Sequence, residues 1–279
     1  MQRTLIAASL LFAACTSVPT TSQRVPSAEP LAAAERAFAQ TSVDEGQRAA
    51  WIRYFADEGI EFAPGPVKAK ERAAGRPAQT KPFPATLYWE PVYGAIARSG
   101  ELGFNTGPWR FRDNKGERAD AFGYFFSVWK KQADDSWKVV LDLGARPKVD
   151  GDPMGQPFVA GAFGVGHAAR TDDLLALDRQ IHGVDGLTAS LHDRAWVLRD
   201  GMDVMRSAGA ARANLTAAPL ELTPLGGDVV MSGDLGYTYG EYTRGTEKGH
   251  YAHVWIRDEA TGTWKIALDV NKPESRTQG

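Results

Sequence analysis

The stretch Ser99–Phe104 reads SGELGF, and Ser232–Tyr237 reads SGDLGY. At an offset of 133, the longer segments LYWEPVYGAIARSGELGF (Leu87–Phe104) and LELTPLGGDVVMSGDLGY (Leu220–Tyr237) share seven of eighteen residues without a gap. Unrelated sequence would share about one, so the chain reads as one domain written twice. Upstream, Arg72 and Gly75 face Arg206 and Gly209. Downstream the offset shortens, because the first copy carries a longer hairpin (RFRDNKGERADAFG) than the second (RGTEKG). A length difference in a polar, glycine-bearing hairpin is of the kind that folds tolerate. The copies then rejoin, VWKKQADDSWKVVLDL (Val128–Leu143) against VWIRDEATGTWKIALDV (Val254–Val270).

Each copy opens on a helical pattern. Leu31, Ala34 and Phe38 share a helical face, and Ser42 with Glu45 suggests a capping box opening a second helix with Trp51, Tyr54 and Phe55. In the second copy Thr171 is the expected cap of a helix carrying Leu174, Leu177 and Ile181. The rest of each copy has the character of strands. Period two puts Trp137, Val139, Leu141 and Leu143 on one face, and Trp264, Ile266, Leu268 and Val270 on its counterpart. Asp142 and Asp269 then fall on the opposite side, where solvation or pairing with Lys138 and Lys265 is expected. The pattern predicts α+β domains, helices covering one face of a curved antiparallel sheet. Their expected bounds are 31–146 and 171–272, with a Gly/Pro-rich linker at 147–170 and a tail at 273–279. In Tyr124–Trp129 both parities are apolar, so that strand is expected to be covered on both sides. This suggests an intramolecular pseudo-dimer packed through the outer sheet faces.

The 279 residues are 43% hydrophobic and 24% charged, with a formal net charge of -2. No excess of basic residues points to nucleic acid. The first fifteen residues differ: Arg3, an apolar run from Thr4 to Ala14, and small residues before Cys15. Eleven apolar residues are too few to span a bilayer, which needs about 20, so the segment reads as an export signal. LFAAC resembles the lipobox of bacterial lipoproteins, which implies lipidation of Cys15, the only cysteine. Residues 16–30, rich in Ser, Thr and Pro, read as a tether. By the same resemblance Thr16, not being Asp, implies the outer membrane, with the folded body in the periplasm.

SGDLGYTYGEYT, the hairpin, the VW…W spacing and the closing LD resemble SnoaL-like and calmodulin-kinase-association-like domains of the nuclear transport factor 2-like superfamily. The resemblance covers most of both copies. It implies two tandem cone-shaped domains, helices packed inside a strongly bent sheet with a cavity at the open end. That superfamily holds isomerases, dehydratases and cyclases beside proteins that only bind, so fold does not settle function.

The candidate ligand-binding residues are Tyr237, Tyr239, His253 and Trp255. Paired tyrosines on a concave wall would hold a ring by stacking and a polar group by their hydroxyls, with His253 as a polar handle between Tyr251 and Trp255. The first copy has Phe104, Thr106, Ser127 and Trp129 at these places. His250 and His253, three apart in a strand, point to opposite faces and do not form a metal pair. AGAFGVG follows no clear strand, which argues against a nucleotide loop. No cofactor and no catalytic residue is assigned. The reading is an exported, membrane-anchored binder of a small hydrophobic or aromatic ligand. Alternatives are a small isomerase, dehydratase or hydrolase, and an envelope interaction protein.

Overall fold

The computed structural model of the chain describes residues 26–274. Cys15, the signal segment and most of the tether lie outside the described residues. The first half contains α1 (Glu29–Glu45), α2 (Gln47–Tyr54), β1 (Phe55–Phe62), β2 (Pro66–Lys68), α3 (Ala69–Ala74), β3 (Ala85–Trp89), β4 (Tyr93–Ile96), β5 (Leu102–Asp113), β6 (Ala121–Lys131) and β7 (Trp137–Ala145). A short β8 (Val159–Ala160) lies in the connection. The second half contains α4 (Thr171–Gln180), α5 (Gly183–Ser190), β9 (Leu191–Arg199), α6 (Ala208–Asn214), β10 (Leu220–Val229), β11 (Leu235–Arg244), β12 (Glu247–Arg257) and β13 (Trp264–Pro273).

Both halves are α+β and share one plan. The first sheet runs β2-β1-β7-β6-β5-β4-β8 with β3 also on β5, and the second runs β10-β11-β12-β13-β9. In the first half β5 pairs with β4 along its start and β3 along its end, and in the second half β10 alone does both. Neighbours are antiparallel except where β1 meets β7, β9 meets β13 and β8 meets β4.

The repeated hexapeptide has a physical reason in each copy. Gly100 and Gly233 take positive φ, 73° and 61°, at the turn before the strand. Gly103 and Gly236 let a helix approach the sheet. A Cβ there would collide with Leu31 of α1 and with Leu174 of α4 respectively. The helices are therefore seated on equivalent glycines by equivalent leucines.

Two helix starts differ from the sequence expectation. Ser42 lies inside α1, which continues to Glu45 and breaks at Gly46, where φ is 89°. The cap of α4 is Arg170, whose backbone N–H donates to Asp173 at 2.8 Å, so Thr171 is the first helical residue. The positive-φ glycine sets the first boundary, and the Asp173 carboxylate reaching back to the Arg170 N–H sets the second.

The apolar interior divides by face. Leu102, Phe104, Phe126, Val128, Leu141 and Leu143 of the first sheet form one cluster with Leu235, Tyr237, Val254, Leu268 and Val270 of the second. The outer faces of the two sheets are thus packed together. Tyr93 stacks on Trp196 at 5.4 Å and 8°, and Asp234 accepts the Arg98 backbone N–H at 2.9 Å. The segment 147–170 is laid along both halves: Val159 and Gly161 donate backbone bonds to Val92 and Gly94, and Gly164 to Arg257. The inner faces carry separate clusters, under α1 and α2 in one half and under α4, α5 and α6 in the other.

Candidate functional site

A β-bulge fixes which residues line each inner face. On β6 and β7, Val128 faces Leu141 but Trp129 faces Val139, so Val140 is an extra residue. On β12 and β13, Val254 faces Leu268 but Trp255 faces Ile266, so Ala267 is extra. A bulge reverses the alternation beyond it. Val139 and Ile266 therefore belong to the inner clusters, whereas Leu141, Leu143, Leu268 and Val270 belong to the outer one. Asp142 and Asp269 consequently turn inward. This corrects the expectation of solvated carboxylates paired with lysines, which assumed an uninterrupted strand. Lys138 and Lys265 instead donate to the backbone carbonyls of Arg53 and Ala189.

The first half encloses a cavity of 720 Å³. Its walls are aromatic, from Phe38 of α1, Trp51 of α2, Trp89 of β3, Trp109 and Phe111 of β5 and Phe125 of β6. The β5–β6 hairpin, longer than β11–β12, extends this wall past Trp109. Asp142 stands at one end with Arg72, Arg146 and Lys272, the last contributed by β13 of the second half.

The polar groups beneath the wall are committed to one another. Glu35 of α1 is buried and accepts from Trp89 Nε1 at 2.8 Å, Trp129 Nε1 at 2.7 Å, Ser127 Oγ at 2.5 Å and Asn105 Nδ2 at 3.3 Å. Burial pushes its carboxyl up, and those four donors oppose the shift. Glu61 of β1 accepts from Trp51 Nε1 at 3.0 Å and from Arg72 at 2.8 Å. Asp142 is different. Among the described residues no protein group donates a hydrogen bond to it, and its carboxyl is held well above the ordinary range. Burial is the main cause, followed by the negative charges of Glu35 and Glu61, with Lys272 pulling the other way. Lys272 donates to Phe62 O at 3.0 Å, and burial lowers its ammonium from the usual value against the pull of Asp142 and Asp200.

In the second half the same positions are closed. Asp178 of α4, placed as Glu35 is on α1, takes a bond from Tyr251 at 2.9 Å and lies 2.8 Å from His253 Nδ1. His253 stands where Ser127 stands in the first half. Its Nε2 lies 3.4 Å from Asp269, which Arg199 of β9 also grips. All four charged groups are under 5% exposed. His253 is raised to about 9: burial works against the imidazolium, and Asp178 and Asp269 outweigh it. Asp269 is lowered to about 2, with burial opposed by Arg199 and His253. Tyr242, Tyr251 and Trp255 fill the rest of this inner face, and Trp255 Nε1 donates to Thr238 at 2.9 Å.

The four candidate residues from the sequence are not brought together. Tyr237 and Tyr239 face the first sheet, Tyr237 9% exposed in the shared cluster and Tyr239 against Phe62, while His253 and Trp255 lie on the other face of the second sheet. The tyrosines were expected on a concave wall. They line the outer one because the alternation along β11 turns Gly236 and Thr238 toward the inner face and Tyr237 and Tyr239 away from it. Trp51, Trp89, Trp109, Phe125, Asp142 and Lys272 were not among the candidates. A signal for part of this wall was present, the β5–β6 hairpin that is longer in the first copy and carries Trp109 and Phe111 on its first strand. Among the described residues, no group of three or more His, Cys, Asp or Glu side chains is placed to hold a metal ion.

No family model matches the chain, and no curated protein matches it. Among solved structures, it is similar to a nuclear transport factor 2-like protein of unknown function from Shewanella oneidensis MR-1. Identity there is 15%, over 42% of this chain and 96% of that one, with a TM-score of 0.33. A nuclear transport factor 2-like superfamily protein from Salmonella enterica serovar Typhimurium is 16% identical over 46% of this chain and 95% of that one, TM-score 0.34. A ketosteroid isomerase-like protein from Erwinia carotovora atroseptica is 16% identical over 42% and 93%, TM-score 0.31. Each of these matches covers less than half of this chain and more than nine tenths of the other.

Proposed function

We propose that this chain is an exported, lipid-anchored protein whose first domain binds a small hydrophobic or aromatic molecule. The observation that carries the binding reading is the aromatic cavity of 720 Å³, a volume within the usual range of small-molecule sites, with a few polar groups gathered at one end. The second domain, its inner face filled and its charges mutually satisfied, acts as the scaffold against which the first is held. The export and anchoring reading rests on the apolar run before Cys15 and the tether after it.

Gly144 offers a direct test of binding. It lines the cavity, and a Cβ added there meets only Trp109 Nε1 at 3.7 Å and Tyr124 O at 3.8 Å, ordinary contacts. Gly144→Leu therefore fits a strand and projects into the cavity. A neutral probe, 2-methoxynaphthalene, should quench tryptophan fluorescence saturably in the native chain and not in Gly144→Leu. Absence of saturable binding to the native chain, or equal binding by the variant, would refute the reading.

One observation favours a second reading, acid–base catalysis. A carboxyl that faces an apolar cavity without a protein donor among the described residues, and whose hold on its proton is strengthened by burial, has the properties of a general acid. The reaction class would be isomerisation or dehydration.

A further inference from the structure

The polar end of the cavity has a chemistry of its own, and its parts come from both domains. Arg72 is committed to Glu61. The guanidinium of Arg146 lies over the Trp109 ring at 6.0 Å from its centroid, and Asp200 takes the Arg146 backbone N–H at 2.7 Å. Lys272 is half-buried, its amine fixed by a bond to a backbone carbonyl and by no carboxylate within 4.0 Å among the described residues. Of the carboxyls at this end, Asp200 and Glu274 are exposed at the rim, and only Asp142 faces the enclosed space. A protonated carboxyl donates one hydrogen bond and an ammonium donates up to three. Both complement oxygen atoms bearing negative charge, and the ammonium repels a cation.

We infer that the cavity selects an aromatic carboxylate, whose ring lies among Trp51, Trp89 and Trp109 and whose oxygens lie at the domain junction between Asp142 and Lys272. The inference rests on the binding reading above and adds the ligand's chemical class. It also gives the tandem arrangement a role: β13 of the second domain adds Lys272 to the cations, Arg72 and Arg146, that the first domain places at this end. The charged groups facing Asp142 are Glu35 from α1, Glu61 from β1 and Lys272 from β13. Those facing Lys272 are Asp142, Asp200, Arg146 and Glu61. Three carboxyls crowd the site, so a bound carboxylate is tolerated only while Asp142 keeps its proton. Affinity should therefore fall as pH rises through the titration of Asp142.

The test uses the chain without its signal segment and three probes of one shape: 2-naphthoate, neutral 2-naphthamide and the cation 2-naphthylmethylammonium. Near pH 6, naphthoate should bind tightest and the cation weakest. Lys272→Gln should weaken naphthoate roughly tenfold or more, the scale of a charge-assisted hydrogen bond, and leave naphthamide unchanged. Lys272→Arg, which keeps the charge, should retain most of the affinity. Asp142→Asn should flatten the pH profile for naphthoate. The inference is overturned if the cation binds tighter than naphthoate, or if Lys272→Gln leaves naphthoate unchanged while naphthamide still binds. Failure of 2-methoxynaphthalene to bind the native chain would instead remove the reading beneath it.

Discussion

The buried charge network of the second domain should make its stability depend on pH in a defined window, and His253→Gln should abolish that dependence. His253, 1% exposed, touches Asp178 at 2.8 Å and Asp269 at 3.4 Å, with Arg199 on the far side of Asp269. Its folded value of about 9 lies above the ordinary 6.5. A group raised in this way contributes stability that is complete below pH 6.5 and is lost as pH rises through about 9. At about 1.4 kcal/mol per pH unit of displacement, the loss is about 3 kcal/mol. Asp269, lowered from 3.8 to about 2, works at the other end. Its contribution is present above 3.8 and disappears as pH falls through about 2. The two figures share one contact and do not add. Urea unfolding at pH 6 and pH 9.5 reads the difference. The native chain should lose about 3 kcal/mol between them. His253→Gln, which leaves Asp178 and Asp269 short of a buried partner, should already be lower by roughly 3 kcal/mol at pH 6 and change little on going to pH 9.5. Parallel pH dependence in the two proteins would refute the assignment of the alkaline loss to His253.

Asp142 behaves with the opposite consequence for neutral pH. Its raised carboxyl contributes stability fully below the ordinary 3.8 and loses it as pH rises through the folded value, so Asp142→Asn should match the native chain at low pH and exceed it at pH 7, read by thermal unfolding at both. Tyr237→Ala removes a ring from the cluster joining the two sheets and should cost roughly 3–5 kcal/mol of stability, while probe binding in the folded variant stays at the native level. Cys15→Ser should move the expressed protein from the membrane fraction to a soluble or unprocessed form, read by fractionation.

The hexapeptides SGELGF and SGDLGY settle a good deal by themselves. Glycine has no side chain, so its repetition at fixed spacing marks a turn and a close approach, here of Leu31 and Leu174 to the sheet. The alternation of apolar residues likewise marks strands, and the helical spacing of Leu31 and Phe38 marks a buried helix face. These are local properties, carried by a few neighbouring residues, and they identify two α+β units. The face on which a residue lands is not local. Val140 and Ala267 enter their strands as bulges because of how β6 and β12 pair with them, and nothing in SWKVVLDL or TWKIALDV marks the extra residue. That single displacement turns Asp142 and Asp269 inward. Which of the two is free to meet a ligand is decided still further away: His253 and Arg199 neutralise Asp269, whereas Ser127 is too short to reach across and hands its hydroxyl to Glu35. Lys272 completes the cavity from the other domain, some 130 residues along the chain from Asp142. Local sequence sets the elements through steric and hydrophobic periodicity. The site depends on which inward-facing charges find a partner, as Asp269 does, and which do not, as Asp142 does not, and only the packed structure decides that.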